Sequence, residues 1–144
     1  MLAGLSAGTV LLAVLLAGCG GDQPDLPDAA AQKKASTELI GKLEALPGAE
    51  VTATIESSLD GGQGNVGADA ELPADATDAQ LDAVGDSIER TIWLSHVYPL
   101  GRININFTRA GSSVRVLQRV YIGTAKEKLG DKYGPRPDGR PDAG

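Results

Sequence analysis

Few residues in this chain carry chemistry beyond that of a folded backbone. There is one cysteine, Cys19, and one histidine, His96. A lone imidazole cannot build a histidine-based metal cluster, and no Asp or Glu spacing beside His96 forms a recognisable metal site. It lies near the end of a predicted helix, where a capping or surface role fits better than catalysis. No serine stands in Gly-x-Ser-x-Gly, and Ser-x-x-Lys does not occur. The glycine-rich Gly61 to Gly67 stretch lacks the Lys-Ser/Thr ending of a phosphate loop and reads as a hairpin turn. The carboxylates are spread over loops and helix flanks, with nothing to mark an acid and base pair. These observations predict no catalytic residues, no metal and no cofactor, and the chain is not expected to be an enzyme. What does stand out is the alternation of Arg115, Leu117, Arg119 and Tyr121, in which two guanidinium groups flank apolar anchors. That is the chemistry of a face that could hold an anionic partner.

Cys19 is distinguished by what precedes it. From Leu2 to Gly18 there is no ionisable side chain, and Val10, Leu11, Leu12, Val14, Leu15 and Leu16 form a compact apolar block ending in small residues. That is the layout of an export signal. The final residues, Leu16-Ala17-Gly18-Cys19, resemble the lipobox of bacterial lipoproteins. The resemblance implies a signal peptide over residues 1–18, cleavage before Cys19, a diacylglyceryl group in thioether linkage to its sulfur, and acylation of the new amino terminus. Each buried methylene contributes about 0.8 kcal/mol and a single chain binds only marginally, so two or three chains on one residue hold a protein stably on a bilayer. The implied location is a membrane surface on the extracytoplasmic side.

Two rival readings fit the same run. It is short and glycine-interrupted for an uncut transmembrane anchor, and no Lys or Arg follows until Lys33. An ordinary secretory signal is the closer rival, because Ala17 and Gly18 also suit a simple cleavage site. The basic residues expected before such a run are missing, which bears on where translation starts more than on Cys19. No later segment approaches the roughly 20 apolar residues of a spanning helix.

Removing 18 of 144 residues leaves 126, enough for one small domain with flexible ends. A single cysteine allows no intramolecular disulfide, and acylation would leave no free thiol. With Trp93, Phe107, Tyr98, Tyr121 and Tyr133 as the full aromatic set, the core must be mainly aliphatic. Charge is divided unevenly. Residues 19–89 hold 15 acids and 3 bases, a net of 3 − 15 = −12, whereas residues 90–144 hold 10 bases and 4 acids, a net of +6. Arg102, Arg109, Arg115, Arg119 and Lys126 fall in a stretch free of acids. Either the halves attract one another across the domain, or a basic edge awaits an anionic envelope partner such as lipid headgroups or an acidic polymer. No nucleic-acid partner is expected of a chain with net charge −6.

The elements that would position these residues follow from periodicity. Residues 19–28, punctuated by Gly20, Gly21, Pro24 and Pro27 and solvated by Asp22, Asp25 and Asp28, read as a tether. From Ala29 the pattern is helical, with Leu39, Ile40, Leu43 and Leu46 on one face, until Pro47-Gly48 stops it. Val51, Ala53 and Ile55 then alternate with polar residues. After a turn at Asp60 to Asn65, Val66, Ala68, Ala70 and Leu72 do the same, a hairpin. Thr77 and Gln80 have capping-box spacing before a helix with Leu81, Val84, Ile88 and Ile92 on its apolar stripe. Trp93 stands off that stripe, where it can cover the rim of the core. Ile103, Ile105 and Phe107 mark a third strand. Val114, Val116 and Val120 mark the inward side of a fourth, and Thr124 to Tyr133 a short helix. Residues 135–144, rich in proline and glycine, read as a disordered tail.

Both halves therefore follow one plan of helix, strand, turn, strand. The predicted fold is α+β: two αββ units forming a four-stranded antiparallel sheet, both long helices on one face, a short C-terminal helix, and a single domain over residues 29–134. The opposite face would carry Thr52, Thr54, Glu56, Asn104, Asn106 and Thr108 beside Arg115, Leu117, Arg119 and Tyr121. The expected function is that of a membrane-anchored envelope lipoprotein serving as a binding or structural module, with an anionic envelope component or an envelope protein as partner. The alternative is a carrier of a lipid or other apolar ligand held between sheet and helices.

Overall fold

The computed structural model describes residues 29–57 and 64–137. Cys19, the predicted signal and tether, the tip of the first hairpin and the last residues of the predicted tail lie outside them.

Helix α1, Ala29–Glu44, buries Ala35, Leu39 and Leu43, the spacing of one helical face. It ends ahead of Pro47 and Gly48, where Gly48 takes φ +91° and turns the chain into strand β1, Glu50–Ser57. Strand β2, Gly64–Leu72, pairs antiparallel with β1, bringing Val51, Ala53 and Ile55 opposite Ala70, Ala68 and Val66. Helix α2, Asp78–Trp93, opens with the capping box read from the sequence. The Thr77 hydroxyl accepts from the Gln80 amide at 3.2 Å and Gln80 Oε1 accepts from the Thr77 amide at 2.8 Å, which satisfies two donors that the first turn would otherwise leave unpaired. Strand β3, Leu100–Arg109, strand β4, Leu117–Tyr121, a turn of 3-10 helix over Gly123–Lys126 and helix α3, Glu127–Tyr133, complete the described chain.

The sheet has four strands in the order β1-β2-β3-β4, and it is mixed. The outer pairs are antiparallel, but β2 and β3 run parallel, with Ala68 beside Ile105 and Ala70 beside Phe107. This corrects the all-antiparallel expectation. The physical cause is α2. A helix of 16 residues spans about 24 Å, close to the length of the strand before it, so the chain is carried back to the end of the sheet from which β2 started. The next strand then enters in the same direction as β2, as in any strand, helix, strand crossover. The two αββ units repeat in element order, yet the second runs through the sheet in the opposite sense to the first.

Between the layers, Leu39, Leu43, Ile88 and Ile92 from the long helices meet Val66, Ile103, Ile105 and Phe107 from the sheet, all at or below 1% exposure. Trp93 is buried at the end of α2 rather than merely covering the rim. Its Nε1 donates to the Gly134 carbonyl at 2.7 Å, and the Arg136 guanidinium stacks 5.5 Å from its ring centroid. Arg136, assigned from the sequence to the tail, is 5% exposed and donates to the carbonyls of Trp93 at 3.0 Å, Ser95 at 3.2 Å and Val97. The Trp93 carbonyl is one that the end of α2 leaves without a helical partner, and the other two belong to the loop that follows.

Candidate functional site

The densest polar constellation among the described residues lies between α2, β4 and α3. Asp82, Asp86 and Glu89 occupy one stripe of α2, at spacings of four and three. Three carboxylates so placed repel one another, and the helix tolerates them because two cations are brought over them. Arg119, from the middle of β4, reaches all three: its guanidinium donates to Asp82 Oδ1 at 2.8 Å, Asp86 Oδ1 at 3.0 Å and Glu89 Oε1 at 2.7 Å. Lys132, from α3, donates to Asp86 Oδ1 at 2.8 Å and Glu89 Oε2 at 3.2 Å. Two phenols complete the shell of Glu89, with Tyr121 donating to Oε1 and Tyr133 to Oε2 at 3.0 Å.

Gly85 makes the close approach possible. A Cβ at this position would stand 2.7 Å from Arg119 Cζ, so the guanidinium lies directly against the bare helix backbone. Its other side is turned to the Phe107 ring, 5.8 Å from the centroid. A glycine inside a helix costs about 1 kcal/mol relative to alanine. Here that cost is offset by a bridge that no larger residue would admit.

Burial alone would push the Glu89 carboxyl up, since the residue is 1% exposed. The hydrogen bonds from Tyr121 and Arg119, with the charge of Arg119, outweigh desolvation and hold it below its ordinary value of 4.5. Asp86 is likewise held below 3.8, chiefly by the hydrogen bond from Lys132. The reciprocal shifts agree. Arg119 is raised by Glu89 and Asp86 against its own desolvation, and Lys132 is raised first by Asp86. Tyr121 is pushed up by burial and by its bond to Glu89, so it remains a protonated donor. The cluster is therefore an ionic latch with its proton donors engaged by its own carboxylates, and it fastens β4 and α3 onto α2. It also pairs acids of the first half with bases of the second, the arrangement in which the halves attract one another.

The placement of β4 corrects the predicted binding face. Arg119 and Tyr121 turn toward the helices, and Leu117 packs against the core beside them. Only Arg115 of the four is exposed; its guanidinium donates to Gln118 Oε1 at 3.1 Å. Val114, Val116 and Val120, expected to face inward, are 67%, 40% and 37% exposed, and Ile122 beside them is 58% exposed. The strand is inverted because α2 offers it carboxylates and β3 offers it Phe107, so the guanidinium gains more from facing the helices than valine would.

The rest of the open face lies as expected. Thr52, Thr54 and Glu56 are exposed and Asn104, Asn106 and Thr108 half-buried. Asn106 Nδ2 donates to Asp69 Oδ1 at 2.8 Å and Gln118 Nε2 to Asn104 Oδ1 at 2.7 Å, so amides tie adjacent strands together across this surface. Shallow depressions of about 240 and 380 Å³ lie on it, the first lined by Glu50, Thr52, Asp69, Glu71 and Thr108. The face is more acidic than basic. His96 is exposed beyond the end of α2. The Lys126 ammonium is buried, donating to the Leu100 carbonyl at 2.7 Å, and Arg109 reaches Asp78 at 3.3 Å. The acid-free run of bases thus forms no continuous edge.

Sequence reasoning missed the latch. Asp82, Asp86 and Glu89 at helical spacing on a predicted helix, set against the opposite net charge of the second half, were the signal that could have found it. Comparison with protein-family models, with curated proteins and with solved structures finds no match to this chain.

Proposed function

We propose that this chain is a bacterial envelope lipoprotein, anchored through lipid on Cys19 to the extracytoplasmic surface of a membrane and presenting a small non-catalytic α+β module. The observation that carries the reading is the sequence Leu16-Ala17-Gly18-Cys19 at the end of an uncharged apolar run, followed by a short polar stretch before the first helix at Ala29. No helix among the described residues is long and apolar enough to cross a membrane, so attachment rests on the acyl chains. The module works by binding or scaffolding, and its exposed amide and hydroxyl surface suits contact with a polar envelope partner. An anionic partner would draw on Arg115 and Arg102, both exposed, because Arg119 is engaged in the latch. Packed side chains fill the centre of the interlayer space, and the carrier alternative is left the cleft of about 330 Å³ between α1 and the sheet, lined by Gln32, Lys33, Ser36, Ile55, Val97 and Tyr98.

Mass spectrometry of the protein from its native host, beside a Cys19→Ala variant, tests the anchor. The native chain should begin at Cys19 with added lipid mass and fractionate with membranes, and the variant should lose both. Unchanged fractionation of the variant would overturn the reading. For the partner, recovery of acidic envelope components should fall in Arg115→Ala with the fold intact; equal recovery would remove the anionic class.

A further inference from the structure

One stripe runs the length of α1, and its chemistry changes half-way. Toward the C-terminal end it reads Leu39, Ile40 and Leu43, at spacings of one and three, and these residues pack into the core. Toward the N-terminal end the same face carries Ala29, Gln32, Lys33 and Ser36, at spacings of three, one and three, so aliphatic residues give way to small and polar ones. Beneath these four the helix and the sheet part, which leaves the cleft of about 330 Å³. Its floor is apolar. Ile55 is half-buried although Val51 and Ala53, on the same side of β1, are buried, and Val97 and Tyr98 complete the floor from the loop between α2 and β3. The floor is also fixed in place. The Gly64 amide donates to the Pro99 carbonyl at 2.8 Å, and a Cβ on Gly64 would stand 2.5 Å from Val97 Cγ1. Of the described residues that line the cleft, Lys33 alone carries a formal charge, and no carboxylate stands beside it. Lys34 pairs with Glu38 at 3.9 Å, whereas Lys33 makes no ion pair among the described residues.

We infer that this cleft binds a small amphipathic anion, a carboxylate on a short aliphatic chain, with the head held by Lys33, Gln32 and Ser36 and the chain laid on Ile55, Val97 and Tyr98. The two walls select the class. A wholly apolar ligand would displace water from the ammonium, amide and hydroxyl and give them no partner in exchange. A wholly polar ligand would gain nothing from the floor, and a cation would be repelled by Lys33. A carboxylate takes a charge-assisted hydrogen bond from the ammonium and accepts further bonds from the amide and the hydroxyl. Volume sets the size: about 330 Å³ is the lower end of the roughly 300–1,000 Å³ that ligand sites occupy, which suits one short chain. The inference gives the carrier alternative its ligand class and rests on that reading, and it is independent of lipid on Cys19.

Thiol protection in the full chain tests it, with octanoate as the probe. In a Cys19→Ser background held in non-ionic detergent, Ser36→Cys puts the only thiol on the wall of the cleft, and Thr37→Cys puts it on the exposed side of the same turn. Octanoate at about ten times its Kd should slow alkylation of Ser36→Cys by iodoacetamide about tenfold, saturably, and leave Thr37→Cys within about twofold. Octanol and octylammonium, of equal chain length, should need at least about tenfold more for the same protection, a difference of about 1.4 kcal/mol. Lys33→Gln, with unchanged circular dichroism, should erase the advantage of octanoate over octanol. Equal protection by all three probes would overturn the proposal. So would equal slowing at both thiols, as from probe entering the micelle, or no protection at any octanoate concentration, as when the chain's own tether fills the cleft. Failure of the anchor would leave these rates unchanged, since the background already lacks that sulfur.

Discussion

The two edges of the sheet solve one problem in opposite ways. Strand β1 turns Val51, Ala53 and Ile55 toward α1 and presents threonine and glutamate outward. Strand β4 turns a guanidinium and a phenol toward α2 and presents Gln118 and Val120 outward. Both alternate with a period of two, so alternation alone does not say which side of a strand is inside. The facing helix decides: α1 offers β1 Leu39 and Leu43, whereas α2 offers β4 three carboxylates and the bare backbone at Gly85. A buried face is the face whose contacts are satisfied, and hydrophobicity is only the commonest way of satisfying them.

The contrast can be broken most severely at its centre. Arg119→Ala removes the cation from beneath Glu89 and leaves a buried carboxylate with only Lys132 and two phenols, which should cost about 3 kcal/mol in urea unfolding. A loss under about 0.5 kcal/mol would be the behaviour of an ordinary surface residue and would contradict the inward orientation.

Acid should sharpen the same contrast. Asp86 and Glu89 titrate below their ordinary 3.8 and 4.5, so the folded state binds fewer protons than the unfolded state through this range. The stability they contribute is complete above those ordinary values and is lost as pH falls through them toward the lowered folded values. Unfolding midpoints should therefore drop as pH falls below about 5, and drop less in Glu89→Gln, which has one titrating group fewer. Equal slopes in both proteins would show that the latch does not set the acid response.

Gly85→Ala gives a smaller effect whose sign depends on the latch. In the intact protein the new methyl displaces the guanidinium and should cost about 1 kcal/mol despite better helix propensity. In an Arg119→Ala background the same change should stabilise by about 1 kcal/mol. The same sign in both backgrounds would separate Gly85 from Arg119. At the weak end, Val120→Thr, on the outward side, should leave the unfolding midpoint within about 0.5 kcal/mol of the parent in dilute solution.

How far these features can be read from the sequence depends on the range of the interaction. The end of α1 before Pro47, the start of α2 at Thr77, the alternation of β1 to β3 and the pairing of β1 with β2 follow from local pattern, because each is fixed by neighbours a few positions away. The sense of β3 is not local, since it depends on α2 being long enough to recross the sheet. The facing of β4 is less local still. Its even positions are Gln118 and Val120 and its odd positions mix Leu117 and Tyr121 with arginine, and the choice between them is made by acids some thirty residues earlier on another element. Cys19 differs again: its argument is a motif, and it stands outside the described residues.

The clasp of Arg136 on the end of α2 bears on where this domain can be trimmed. A fragment ending at Tyr133 would retain every helix and strand described here, yet it would uncover the carbonyls of Trp93, Ser95 and Val97 and strip the indole of both its acceptor at Gly134 and its cationic lid. A fragment meant to keep this end of α2 intact must therefore retain Arg136.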